Sequence, residues 1–183
     1  MDLNFLNVKK YNYIHLSAGD LLRAEMKKTQ SKYKDLISGH IVNGTIVPVE
    51  ITCNLLKIAM EQFNEKNNQK NFLIDGFPRN QDNIDGWNKV MNEVSNVQAI
   101  LLLDCDEETC VNRCLKRGQL GSGRSDDNAE SLRQRIITYE NQTKIVVKHY
   151  TSQNLVKSID ATGNIKEVNN LVDIIFKILS AKD

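Results

Sequence analysis

Six arginines stand where an anion could be held. Arg23 follows the Ser17-Ala-Gly-Asp20 turn, Arg79 closes Gly76-Phe77-Pro78-Arg79, and Arg113 and Arg117 sit four residues apart on one predicted helix. Arg124 leaves the glycine-dense stretch RGQLGSGRSDDN, and Arg135 lies three turns along the next helical pattern. A guanidinium is permanently charged and forks onto phosphate oxygens, so several of them converging would hold a polyphosphate. Any one alone reads as a solvated helix arginine paired with a nearby acid, which contributes little. Five of the six fall in loops or at element ends, which favours phosphate.

The glycine-dense stretch itself is a second candidate for phosphate chemistry. A Walker-type loop needs G-x-x-x-x-G-K-[ST] between a buried strand and a helix, so that backbone N–H groups surround the phosphates. Gly118 to Gly123 follows a helix, leads into Arg124-Ser125-Asp126-Asp127 and carries no lysine, and no Gly-Lys-Ser or Gly-Lys-Thr occurs in the chain. It is not that loop. Asp75 ends an apolar run, where a carboxylate could orient water on Mg²⁺ or merely serve a turn. Asn83 offers both a donor and an acceptor to a polar base edge.

Four apolar runs would position these groups: Tyr13 to Leu16, Asn71 to Asp75, Ala99 to Cys105 and Leu155 to Ala161. Their near-continuous hydrophobicity suits parallel strands buried on both faces. Helical patterns lie between them, over 18–28, 31–42, from Pro48 to Phe63, 80–91, 106–117, one long stretch 128–150, and 165–180. Polar Glu65 to Asn71 reads as a surface turn. The alternation predicts an α/β fold with a parallel sheet and flanking helices, in one domain covering 1–183. Two extra helices after the first strand and the glycine loop after the third resemble flaps that close over a substrate.

Bulk properties exclude several classes. Net charge is +1 over 183 residues, so any anion site is local and nucleic acid is not an expected partner. The first twenty residues show no signal-peptide pattern and no apolar run reaches membrane-spanning length, so a protein of the cytoplasm, or of cytoplasm and nucleus, is expected. Cys53, Cys105, Cys110 and Cys114 read as reduced core thiols rather than a zinc site, since no histidine lies near in sequence.

HLSAGDLLR (15–23), GTIVPVEIT (44–52), FLIDGFPRNQDN (72–83) and RCLKRGQLGSGRSDDNAESLRQR (113–135) together resemble the nucleoside monophosphate kinases of the adenylate kinase family, and within it the branch that accepts UMP and CMP. The resemblance covers nearly the whole chain in order. It implies transfer of the γ-phosphoryl of ATP to UMP or CMP with Mg²⁺, in pyrimidine nucleotide metabolism, by a monomer with a P-loop NTPase-like parallel sheet. An NMP-binding flap would cover about 18–47 and a lid about 117–128. By the same resemblance, Arg23, Thr45, Ile46, Val47, Gly76, Arg79 and Asn83 bind the NMP, with Asn83 reading the base. Arg113, Arg117 and Gly163 lie on the ATP side. Arg124 and Arg135 bridge both phosphate groups, Arg79, Arg124, Arg135 and Asp75 serve transfer, and Asp75 holds Mg²⁺ through water.

The departure from that family is at the start. Its first strand, its G-x-P-G-x-G-K-[GS]-T loop and most of the following helix have no counterpart here, where fourteen residues precede His15. That strand belongs between the runs 71–75 and 99–105, so a sheet open at its centre is expected, with an N-terminally incomplete and poorly active chain. The glycine loop is also one residue longer than usual. A non-catalytic NMP-binding relative and an adenylate kinase of altered base preference remain as alternatives.

Overall fold

The structure, a computed structural model, describes residues 8–180. All four expected strands form, as two separate parallel pairs. β1 (Ile14–Ser17) pairs with β2 (Phe72–Asp75), Ile14 opposite Phe72 and Ser17 opposite Asp75. β3 (Ile100–Asp104) pairs with β4 (Val156–Asp160), Ile100 opposite Val156 and Asp104 opposite Asp160. Among the described residues no strand joins β2 to β3. A slot of about 1350 Å³ opens there, with Leu73, Leu101, Leu102 and Leu103 on its walls. The sheet is thus open where the sequence predicts. It also corrects the expectation of full burial: β2 is half-buried throughout, and so is β3 apart from exposed Asp104, because one edge of each borders the slot.

Among the described residues, eight α-helices follow from local signals. They are α1 (Ala18–Lys27), α2 (Lys34–Val42), α3 (Val49–Asn67), α4 (Gln81–Met91), α5 (Glu107–Gln119), α6 (Ala129–Thr138), α7 (Lys144–Thr151) and α8 (Ile165–Ser180). Ser17, Asn80, Asp106 and Asn128 cap α1, α4, α5 and α6, each accepting the N–H three residues on. Each such cap contributes about 1 kcal/mol.

Three boundaries differ from expectation. α2 starts at Lys34 because the Ser31 hydroxyl donates to Glu25 and accepts the Tyr33 N–H, holding 28–33 as a turn. α3 begins after Pro48 and continues through Glu65, Lys66 and Asn67, ending only where Asn68 turns left-handed at φ +50°. The long helix over 128–150 is interrupted by a five-residue π-helical turn, Tyr139–Thr143, between α6 and α7.

Four apolar clusters hold these elements. Phe176 of α8, with Val168 and Val172, packs against both Leu73 and Leu101, so one helix spans the two strand pairs. Trp87 and Met91 of α4 meet Leu16 and Leu56, and Ile84 meets Val146 and Tyr150 of α7. Leu22, Ile37, Val47 and Ile51 form a separate small core for the arm made by α1, α2 and the start of α3. Burying each such side chain contributes about 1.5–3 kcal/mol. The expectation of core thiols holds for Cys53, whose thiol burial pushes up to about 11; Cys105 and Cys114 are half-buried and Cys110 is exposed. The cause is again the slot: α5 has no fully buried residue, and Cys110, Val111 and Cys114 face the opening.

Candidate functional site

A polar pocket of about 190 Å³ lies at the C-terminal ends of β1 and β2, where parallel α/β sheets present their loops. Arg23, Arg79, Arg117, Arg124 and Arg135 all line it, with Asp75 and Asp126 as its carboxylates. Thr45, Ile46, Val47, Gly76 and Asn83, the other residues expected on the monophosphate side, line it as well. Residues from four distant parts of the sequence therefore converge on one space.

Each guanidinium is held by the chain itself. Arg79 Nε donates to the Gly76 carbonyl at 2.7 Å; Gly76 has φ +74°, and a Cβ there would approach Arg79 Nη2 to 3.0 Å. Enclosure and the neighbouring Arg135 pull the Arg79 guanidinium below its ordinary value, against the opposing pull of Asp75 and Asp126. Arg135 Nη1 donates to Asp126 Oδ2 at 3.1 Å. Arg117 grips Asp127 in a two-pronged pair at 2.8 and 2.5 Å, and Asp127 is fully enclosed, 1% exposed. Burial raises the Asp127 carboxyl, but Arg117 and Ser122 outweigh it and hold it below the usual carboxylate range. Arg23 donates through Nε and Nη2 to Asp20 Oδ1, and Arg124 Nη2 stands 4.0 Å from that same oxygen.

The glycine-dense stretch is where these pairs meet. Gly118 is not a loop residue: it lies in the last turn of α5, and a Cβ there would sit 2.7 Å from the Asp127 carbonyl. Its role is to let the returning chain approach. Gly121 and Gly123 supply the positive φ values, +78° and +67°, that turn the loop back toward α6. That loop therefore brings Arg124, Asp126 and Asp127 to the pocket while Arg117 anchors its far end.

The arm's side of the pocket is docked on α6. Ser131 Oγ donates to the Val42 carbonyl at 2.8 Å and Thr138 Oγ1 to the Gly44 carbonyl at 3.2 Å. Gly44, at φ +65°, lies so close that a Cβ would meet Ser131 O at 3.0 Å. Thr45 Oγ1 bonds His40 Nδ1 at 2.8 Å. Asn83 is buried, and its Oδ1 accepts the Arg79 backbone N–H at 3.1 Å, which leaves the amide Nδ2 and the second Oδ1 lone pair for a ligand. Asp75 has His15 Nε2 beside it at 3.5 Å.

Comparison with known proteins decides the family. The family model described as Adenylate kinase matches residues 5–155. The chain belongs to the adenylate kinase family. It is 53% identical over 170 residues to a UMP-CMP kinase of Gallus gallus and 54% identical over 170 residues to one of Homo sapiens, in each case covering 92% of this chain and 86% of the relative. A UMP-CMP kinase of Xenopus laevis is 51% identical over 170 residues, with 92% and 88% covered.

Two of the residues this family membership would place on the ATP side stand apart from the arginine pocket, but together. Arg113 Nη2 donates to the carbonyls of Thr162 and Gly163, each at 2.7 Å, so it fastens α5 to the loop between β4 and α8. Among the described residues no three His, Cys, Asp or Glu side chains cluster as a metal cage. A lone carboxylate at a strand end suits Mg²⁺, which keeps its waters and relies on substrate phosphates, so Asp75 fits. Sequence reasoning passed over His40, Phe77 and Cys114, which line the pocket, and over Asp20 as more than a cap residue. Asp20 and Arg23, three apart on a helix, carried a legible signal for their ion pair. His40 and Cys114 carried none.

Proposed function

We propose that this chain binds a pyrimidine nucleoside monophosphate in the arginine pocket, as the acceptor site of an ATP-dependent UMP-CMP kinase reaction. The convergence of Arg23, Arg79, Arg124 and Arg135 beside Asn83 and the 44–47 segment carries the reading. Phosphoryl transfer needs alignment and neutralisation of spreading charge more than covalent chemistry, and a ring of guanidiniums supplies both. Arg23 and Arg79 face the monophosphate, and Arg124 and Arg135 bridge it to the incoming phosphoryl. The Asn83 Nδ2 hydrogens meet a carbonyl of the pyrimidine, and Oδ1, which accepts the Arg79 N–H, keeps a second lone pair for a donor on the base. Residues 18–47 serve as the NMP flap and 117–128 as the lid. At about 190 Å³ the pocket is below the ~300 Å³ of small ligand sites, so a nucleotide enters with the lid displaced.

Arg117, Arg113 and the Gly163 backbone serve ATP, and Asp75 would hold Mg²⁺ through water, the ion supplying shielding of the phosphate charge when bound. The 183-residue sequence contains no Walker-type loop. We therefore expect binding without efficient transfer from this chain alone. A coupled assay of the pure 183-residue protein with ATP and UMP, CMP or AMP tests both parts. Turnover near background is expected, with any residual activity favouring UMP and CMP. Robust turnover would overturn the expectation of poor transfer, and preference for AMP would overturn the acceptor assignment.

A further inference from the structure

We propose that Thr143 is a positioning residue for phosphate binding: its hydroxyl, aimed by the π-helical turn, fixes the backbone of Arg79 to the helix pair that carries Arg135. The proposal rests on the acceptor-site reading above. Thr143 Oγ1 donates to the Arg79 carbonyl at 2.8 Å, across 64 positions of sequence. The other hydrogen bonds of Arg79 are local: its N–H goes to Asn83 Oδ1 at 3.1 Å and its Nε to the Gly76 carbonyl at 2.7 Å. Among the described residues, Thr143 thus gives the one hydrogen bond that ties Arg79 to an element outside its own loop and helix start. Thr143 does not line the pocket, so it acts through Arg79.

The turn is what aims this hydroxyl. Between α6 and α7 the Lys144 N–H donates to the Tyr139 carbonyl, five residues back rather than four. One extra residue in a helical turn rotates every later side chain by about 100° relative to an unbroken α-helix. An unbroken helix that carried Arg135 into the pocket would therefore point Thr143 away from Arg79. Val146 and Tyr150, which meet Ile84, share the shifted register, so one turn serves both core and site. Lys144 Nζ donates to Glu140 Oε2 at 2.5 Å across its outer side.

The same helix pair holds three parts of the pocket. Thr138, the residue before the turn, donates to the Gly44 carbonyl of the arm. Arg135, one turn earlier, lines the pocket close enough to Arg79 for the two guanidiniums to repel. Thr143 keeps the Arg79 backbone in place against that repulsion. A phosphate that both cations fork onto then finds them already spaced, and does not have to order them on arrival.

Thr143→Val keeps the shape of the side chain and removes the donor. UMP binding should weaken about fivefold, the size of one neutral hydrogen bond. Uridine, which carries no phosphate, should bind wild type and variant alike. Thr143→Ser, which keeps the hydroxyl, should recover most of the loss. In an Arg79→Met background, Thr143→Val should weaken UMP binding no further, because its effect passes through the guanidinium already removed.

The test titrates these proteins with UMP and with uridine, followed by the fluorescence of Trp87, the chain's single tryptophan. Hydrogen exchange of the Arg79 and Asn80 amides is measured without nucleotide in wild type and Thr143→Val, or in Thr143→Ala where the valine variant does not fold. Expected are weaker UMP binding in Thr143→Val, rescue by Thr143→Ser, unchanged uridine binding and faster exchange. Unchanged UMP binding overturns the proposal. So does an equal loss for UMP and uridine, or a loss undiminished in the Arg79→Met background, since either would mean a merely structural role. If wild type binds no UMP, the acceptor-site reading fails, and exchange alone decides: equal protection of Arg79 and Asn80 in the variant overturns the link.

Discussion

The arginine pocket and the slot between β2 and β3 share Gly44, Asp75, Gly76, Phe77, Arg79, Cys114 and Arg135 on their walls, yet they are built in opposite ways. The pocket is small and polar, and each of its arginines is braced: Arg23 and Arg124 by Asp20, Arg79 by the Gly76 carbonyl, Arg117 by Asp127, Arg135 by Asp126. The slot is seven times larger in order of size, walled by leucines, and bordered by strand edges with no strand partner among the described residues. Preorganised charge and incomplete packing thus lie side by side. The difference teaches that a cluster of braced guanidiniums can be assembled by the helical arm and the glycine-rich loop although the sheet beneath is open. What holds it is α6, which carries Arg135 and receives the Val42 and Gly44 carbonyls through Ser131 and Thr138.

Core substitutions probe that contrast with the largest expected effect. Ile84 is completely enclosed between α4 and α7, so Ile84→Ala should cost about 2–5 kcal/mol in urea unfolding. Leu102, half-buried on the slot wall, has no such cavity to leave, and Leu102→Ala should cost about 1 kcal/mol or less. Equal losses at the two positions would mean that the slot is closed in solution.

On the pocket side, Arg79→Met removes a charge-assisted contact worth about 1.5–3 kcal/mol, so UMP affinity by calorimetry should fall by about 10–100-fold. The fold should survive, because the Asn83 bond uses the Arg79 backbone N–H. For the same reason Asn83→Asp keeps the acceptor that fixes this loop and exchanges the Nδ2 donor for a carboxylate oxygen in a pocket lined by five arginines. Its expected effect is smaller, a fall of about fivefold to tenfold in UMP binding with stability nearly unchanged.

A pH titration sharpens the picture of the lid brace with the smallest change. Arg117 and Ser122 depress the folded Asp127 carboxyl below its unfolded value of 3.8. A depressed carboxylate contributes stability that is present above the unfolded value and is lost as pH falls through the folded one. Protection of the 122–127 amides, corrected for intrinsic exchange, should hold from pH 7 to about pH 4 and fall below that. Asp127→Asn should show the low-pH behaviour at every pH. Loss of protection already at pH 6 would contradict the brace.

The sequence made the strands and most of the site legible for different physical reasons. The apolar runs 71–75 and 99–105 gave β2 and β3 to within a residue at each end, since a continuous apolar run marks a strand even where one of its edges borders the slot. Caps at Ser17, Asn80, Asp106 and Asn128 located four helix starts. The five pocket arginines were visible as cations in loops and at helix ends, and Asp126 and Asp127 as acids that would pair with arginines, but not which acid meets which arginine. Asp126 and Asp127 were separated from Arg135 and Arg117 by a loop whose turns depend on Gly121 and Gly123, and no local pattern encodes that geometry. The π-helical turn at Tyr139–Thr143 was hidden inside an unbroken helical periodicity. Half-burial of Cys105, Cys110 and Cys114 depends on what lies beyond α5, which composition cannot tell.

The central claim is that the braced arginines and Asn83 form a pyrimidine monophosphate site. The most direct measurement titrates the 183-residue protein with UMP, CMP, AMP and uridine while following Trp87, whose ring lies 5.7 Å from the pocket-lining Phe77. Saturable binding of UMP and CMP, with AMP and uridine each weaker by about tenfold or more, is the predicted result. AMP binding as tightly as UMP, or uridine matching UMP, would contradict it.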